Sequence, residues 1–342
     1  MSMSAFRRHR RHARSLTLVL VVLAGTGVVL FLGLMAGARP MDFPGLLSAL
    51  ASPDGSVPSI IVWHLRLPRS LIAFCAGSGL SVSGLLLQSI SRNPLAGPGL
   101  TGATSGAVAP IVVCLVFFPG LSSGFYAAIG MAGGISASML TFWIARGGNG
   151  GPLHLALGGM TVALFLSAIT TAVLLSSGPQ AATLTFWLAG GFQGRSWEQL
   201  GYMLPWVLAG GIGALVCQRA VGLLAVSENL AACAGLNVAF WKPALLFVAI
   251  LPVAGVVPVA GPIAFVGLAT PHIAKLLKPA GAGWTIALTA SLGGLMTTAA
   301  DIVARSLAAP QELPVGMITA MLGGPVFIYL IQRVGASQGT QS

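Results

Sequence analysis

The sequence predicts an all-α integral membrane protein, a single bundle of about ten transmembrane helices with both termini in the cytoplasm. Three observations predict it. Of 342 residues, 56 % are hydrophobic and only 7 % are charged, where soluble chains carry roughly 25 %; so few charges cannot coat a water-facing surface. Apolar stretches recur at lengths near the roughly 20 residues that cross a bilayer core. Threading those stretches then sorts the 17 lysines and arginines unequally between two sides. The net charge of +11 therefore reads as positive-inside topology rather than affinity for nucleic acid. The 46 glycines fit helices whose backbones approach closely in lipid.

In chain order, the first element is the apolar run 16–37, behind the basic cytoplasmic segment 1–15. That run is longer than the core of a signal peptide, about 7–15 residues, and no A-x-A site follows, so it is an uncleaved span. Further spans fall at 70–91, 102–118, 122–145, 153–176, 197–217, 241–258, 261–277, 283–304 and 312–332. A few Gly and Pro residues join 102–118 to 122–145, and 241–258 to 261–277, as in tight antiparallel hairpins. With the N-terminus inside, twelve of the 17 basic residues are cytoplasmic. Five lie outside: Arg39, Arg66, Arg69, Arg195 and Arg305. Residues 1–342 thus form one transmembrane domain: the tail 1–15, the bundle 16–332 with an inner loop at 218–240, and the tail 333–342. The longest polar stretches, 38–65 and 218–240, are too short to fold alone.

The second span lies within "RLPRSLIAFCAGSGLSVSGLLLQSISRNPLAGPG". Gly77, Ser81, Gly84 and Gln88 fall on one helical face, and Gly79 and Ser83 on another. A helix small on several sides can be enclosed by neighbours, with Gln88 as a buried interhelical hydrogen bonder. Asn93 before Pro94 stops it. Arg66 and Arg69 stand at its outer end, and Arg305 at the outer end of span nine, on the side where arginine is scarce. Either they snorkel singly at the interface, or they form a basic rim that receives an acidic partner from outside.

What is missing narrows the function. The acids are Asp42, Asp54, Glu198, Glu228, Asp301 and Glu312. Asp301 alone falls more than two residues inside a span, four residues before Arg305, where the two can pair. No acidic relay crosses the membrane, which disfavours an ion-coupled carrier, and no channel filter is visible. None of the three lysines follows GxxxxGK[ST] spacing, so the chain has no nucleotide-binding loop. No zinc motif, nucleophile elbow or paired carboxylates occur, so no catalytic residue and no metal site are assigned. The four cysteines form no CxxC pair, and His272 beside Pro271 reads as structural. A pump of this kind needs ATP hydrolysed on another subunit.

Two inner loops stand out. In 218–240, Ser227 is a good N-cap, Glu228 sits in the first turn and Gly235 is a plausible C-cap, predicting a short helix over 228–234 outside the bilayer. In "RGGNGGPLHL" (146–155), glycines give a loop that can flex near the helix ends. The segment 178–194, broken by glycine and proline, predicts a short outer helix.

"RLPR" with "GSGLSVSGLLLQSISRNPLAGPGLTGATSGA", followed in order by "WLAGGFQGRSW", "GPIAFVGLATPHIAKLL" and "ADIVARSLAAPQELPVGMITAMLGGPVFIYLI", resembles the FecCD family. These are permease subunits of type II ABC importers for iron–siderophore, haem and cobalamin, and the likeness runs from about 40 to 332. The resemblance implies a bacterial inner-membrane protein that works by alternating access. It implies a second permease subunit, identical or homologous, two cytoplasmic ATPase subunits holding ATP and Mg, and a substrate-binding protein, periplasmic or lipid-anchored. No cofactor is expected on this chain. The resemblance assigns Arg66, Arg69 and Arg305 to docking glutamates of the binding protein, and Ser227, Glu228, Leu230, Ala231 and Gly235 to contacts with the ATPase. It places Gly151, Pro152 and Leu153 at a cytoplasmic gate, although the glycine run there departs from the family's more polar loop. Leu157 to Thr171 and Val315 to Phe327 are expected to line the path. A ferric siderophore is the expected cargo, haem or cobalamin the alternative, and an ion-coupled secondary carrier the alternative of another class.

Overall fold

A bilayer offers no water to unpaired backbone groups, so a lipid-facing chain must satisfy them within helices. The computed structural model describes residues 3–325 except 38, 52, 54, 148–151 and 310, and the regular elements among them are helical. α1 covers Met3–Met35 and α2 Phe43–Ala51. α3 (Val57–Ile60) runs through a π-helical turn, Ile61–Arg66, straight into α4 (Leu67–Ser91). There follow α5 (Ala103–Phe117), α6 (Ser123–Gly147), α7 (Pro152–Ser176), α8 (Ala181–Leu188) and α9 (Trp197–Val216). Then come α10 (Gln218–Leu224), α11 (Glu228–Cys233), α12 (Val238–Ala260), α13 (Val266–Leu276) and α14 (Ala282–Leu307). The last described helix, α15, is Val315–Pro325. Seven of these are long and apolar enough to span: α1, the continuous α3–α4 rod, α6, α7, α9, α12 and α14. The shorter α5, α13 and α15 stand where the third, eighth and tenth spans were read. The protein is a multi-pass membrane protein.

α4 is the axis of the bundle, packed by α9, α12, α13 and α14. Its small residues are what let four helices approach at once. A Cβ on Gly77 would collide with Thr297 and the Gly293 carbonyl of α14, and one on Gly84 with the Gly267 carbonyl of α13. Gly79, on the other face, lies against Pro252 of α12 and Val207 of α9. Polar side chains join the same contacts. Thr297 donates to the Ala73 carbonyl (2.7 Å), Thr270 to the Ser81 hydroxyl (2.7 Å), and Gln88 to the Leu268 carbonyl (3.2 Å) while accepting from Lys275 (3.0 Å). The structural role read for Gly77, Ser81, Gly84 and Gln88 is what these contacts describe. Beyond Ser91 the helix stops. Arg92 takes a left-handed φ of 52°, and the Asn93 carboxamide oxygen accepts from the Leu95 N–H ahead of the Pro94 turn (2.9 Å).

α5, α6 and α7 form one flank, joined to the axis through α12; α1 lies on the other, against α14. α1 is fastened near its start, where the Ser15 hydroxyl accepts from the Ala280 N–H (2.8 Å) and His12 from the Trp284 indole (2.9 Å). α10 and α11 cap the Arg92 end of the bundle.

Candidate functional site

The two short helices α5 and α13 have a common cause. The chain leaving α4 does not start α5 at the Arg92 end. It re-enters over 93–102 until Pro98 meets Gly267, which lies against Leu80 and Gly84 in the middle of α4. The chain leaving α12 likewise breaks over 261–265, with Phe265 in a left-handed conformation (φ 67°) before α13 begins. Irregular backbone at membrane depth is tolerated where it is buried in protein or lines a cavity. Here it lines one. A cavity of about 650 Å³ is walled by Leu80, Pro98, Leu100, Pro262, Phe265 and Met317 together with neighbouring backbone, and among the described residues no charged side chain lines it. Of the residues expected on the path, Gly316, Met317 and Ala320 of α15 line this cavity. Leu157, Met160, Leu164 and Phe165 of α7 are exposed on an open helix face instead. Phe327 lies outside the described residues.

At the Arg66 end three arginines are held inside the fold, where the sequence led us to expect an exposed rim or single snorkelling side chains. Arg66, Arg69 and Arg305 are only 7, 8 and 4 % exposed. Arg66 donates to the Leu34 (2.6 Å) and Met35 (3.2 Å) carbonyls at the C-terminus of α1, and to that of Arg39. A cation there satisfies orphan carbonyls and meets the negative end of the helix dipole. Arg69 holds Asp301 through Nη2 (2.8 Å) and Nε (2.9 Å), and Glu312 through Nη1 (2.7 Å). The pair read along one helix, Asp301 with Arg305, is the looser contact at 3.8 Å. Asp301 prefers Arg69 because two aligned donors across helices beat one along the helix. Arg305 is left with Nε and Nη2 buried and without a hydrogen bond, its guanidinium resting against Gly33 of α1.

At the Arg92 end, α11 spans Glu228–Cys233, close to the helix read over 228–234. Gly235 closes it at φ 80°. Its N–H reaches the Ala232 carbonyl (2.9 Å), and the Leu236 N–H reaches that of Ala231 (2.9 Å), the double bond of a Schellman motif. The Ser227 side chain makes no capping bond. Leu230 is exposed at 49 %, whereas Ala231 is buried at 0 %, so Ala231 is a core residue with no surface to offer a partner. The Glu228 carboxylate turns toward its own chain, accepting from Arg92 (2.8 Å) and Lys242 (2.7 Å). Gly151 lies outside the described residues, and Pro152 and Leu153 are placed only as the first residues of α7.

Sequence reading missed the wall residues Pro98, Leu100 and Phe265. The available signal was the density of Gly and Pro in "NPLAGPGLTG" and "GP" at 261, read there as simple turns. It also missed a second cavity, of about 430 Å³, behind α8 and lined by Tyr126, Trp187, Arg195 and Tyr202. Burial holds the Arg195 guanidinium below its ordinary pKa. Among the described residues no group of three or more His, Cys, Asp and Glu side chains gathers to hold a metal ion.

A bundle with broken helices around an uncharged cavity is the geometry of a transporter. Comparison with known proteins decides the family: residues 19–333 match the FecCD transport family. The chain belongs to that family. It is 34 % identical to the Fe(3+)-citrate import system permease protein YfmD of Bacillus subtilis, over 95 % of this chain and 97 % of that one. It is 32 % identical to the ferric enterobactin transport system permease protein FepD of Escherichia coli, over 88 % and 91 % of the two chains. Among solved structures, a metal-chelate type ABC transporter in an inward-facing conformation superposes with a TM-score of 0.79 at 28 % identity, covering 93 % of this chain and 99 % of the other.

Proposed function

We propose that this FecCD-family chain is the membrane permease subunit of an ATP-binding-cassette importer that carries a ferric chelate, a siderophore or citrate complex, across the bacterial inner membrane. The observation that carries the reading is the uncharged cavity where the breaks at 93–102 and 261–265 meet α15. A bulky chelate can pass such walls by shape, without a binding step that would hold it. Haem or cobalamin would be the alternative cargo of the same frame.

The chain works beside a second permease, a copy or a homologue, with the open faces of α7 and α15 at the shared path. ATP and Mg reside on two cytoplasmic ATPase subunits that meet α11 through Ser227, Leu230 and the Gly235 turn. The N-terminus and the Arg92 end face the cytoplasm. A binding protein delivers the chelate at the Arg66 end, and Arg305, with unsatisfied donors, is the arginine left to answer an acidic group there. Alternating access follows: ATP binding moves α11, and the path opens to one side at a time.

The test is uptake of iron-55 chelate into proteoliposomes holding the permease and its ATPase, with binding protein added outside. Uptake that requires all three components and ATP is expected. Uptake by the permease alone, driven by a proton gradient, would overturn the reading. Cys233, exposed in α11, should react with an impermeant maleimide only from the ATPase side.

A further inference from the structure

α11 is six residues long, too short to hold its own position. It packs on α10 and α12, and buries one methyl group, Ala231, in the cluster that includes Leu224, Leu245 and Leu246. Its remaining anchor is ionic. Glu228, the first residue of the helix, sets one carboxylate oxygen between Arg92 Nη2 (2.8 Å) and Lys242 Nζ (2.7 Å). Arg92 is the left-handed cap of α4, and Lys242 lies in the second turn of α12. One side chain therefore ties three helix ends together.

The far ends of those helices matter as much. α4 is a continuous rod of 25 residues, about 37 Å long. Its opposite end carries Arg69 with its two carboxylates, and its middle forms the cavity wall at Leu80. α12 ends in the 261–265 break on the same cavity. A displacement of α11 carried through Glu228 thus reaches both walls. The three side chains are about one-third exposed and line a cavity of about 680 Å³, which leaves the carboxylate room to shift between its two cations as the helix moves.

We infer that Glu228 is a positioning residue for transport: it carries the movement of α11 to α4 and α12, and it is not a contact to the ATPase. This rests on the permease reading above. The experiment uses the whole complex in proteoliposomes and counts ATP hydrolysed per chelate imported, alongside the amount of ATPase that co-purifies. For Glu228→Gln the ratio should rise about fivefold, the scale of a partly exposed ion pair, with co-purification unchanged. Glu228→Asp should fall between, and Glu228→Lys combined with Lys242→Glu, which restores the tie to α12 but sets a cation against Arg92, should recover only part of the coupling. Raising salt from about 50 to about 500 mM should raise the ratio for the unaltered complex and leave Glu228→Gln where it was.

Loss of co-purified ATPase in Glu228→Gln would make Glu228 a direct contact and overturn the inference. An unchanged ratio with a lowered melting temperature would make it a folding residue and overturn it equally. Should Glu228→Gln fail to assemble, Arg92→Gln and Lys242→Gln, read by the same ratio, decide the matter. Failure of the permease reading is recognised separately, because the unaltered complex would then import nothing on ATP.

Discussion

The two ends of the bundle both carry arginine against carboxylate, yet they are built oppositely. At the Arg66 end, Arg69, Asp301 and Arg305 are sealed inside the fold, and Asp301 is 1 % exposed. At the Arg92 end, a single carboxylate sits between two cations that are all about one-third exposed. Buried pairs cannot rearrange without stranding a charge, whereas half-wet pairs exchange partners cheaply. The first end is suited to stay fixed while the second moves, which is what a path opened from one side requires.

Three substitutions probe that contrast, from the strongest effect to the weakest. Arg69→Met strands Asp301 and half-buried Glu312 and should cost about 3–5 kcal/mol, read as a large fall in folded yield and in melting temperature in detergent. A melting point near that of the unaltered protein would show the sealed end to be no anchor. Arg305→Met, two residues from the end of α14 yet with unsatisfied donors, should change stability by less than about 1 kcal/mol. It should instead abolish stimulation of ATP hydrolysis by the binding protein. Intact stimulation would move the docking site elsewhere. Arg92→Gln should lower stability by at most about 1 kcal/mol, with the difference vanishing at high salt. A larger, salt-insensitive loss would mean that both ends are rigid.

Much of the fold was legible because lipid imposes a simple rule. Each of the ten apolar segments holds a helix among the described residues, and the bounds of α11 followed from Glu228 and Gly235. The crowding around α4 followed from its glycines and serines. Depth was not legible. Hydropathy reports that 102–118 and 261–277 are apolar, but it cannot report that each is preceded by backbone folded back to the level of Leu80. Direction was not legible either. Asp301 to Arg305 is visible at a spacing of one turn, but the stronger partner, Arg69, stands 232 residues away, and only the packing of α14 on α4 brings them together. The same holds for Glu228, whose neighbours in sequence say nothing of Arg92.

The π-helical turn at Ile61–Arg66 has an effect beyond its six residues. Each residue advances an α-helix by about 100°, and a π turn accommodates one extra residue per turn. A deletion inside the π turn is therefore absorbed as the turn relaxes to an ordinary α-helix, whereas deleting one residue from α4 just after it would spin everything upstream by roughly that angle. Trp63, which binds the Ala49 carbonyl and receives the Trp197 indole on its own, would swing off both partners, and Arg66 would leave the end of α1. A length change that the π turn takes up would, one turn further along, dial the first two helices out of phase with the rest of the protein.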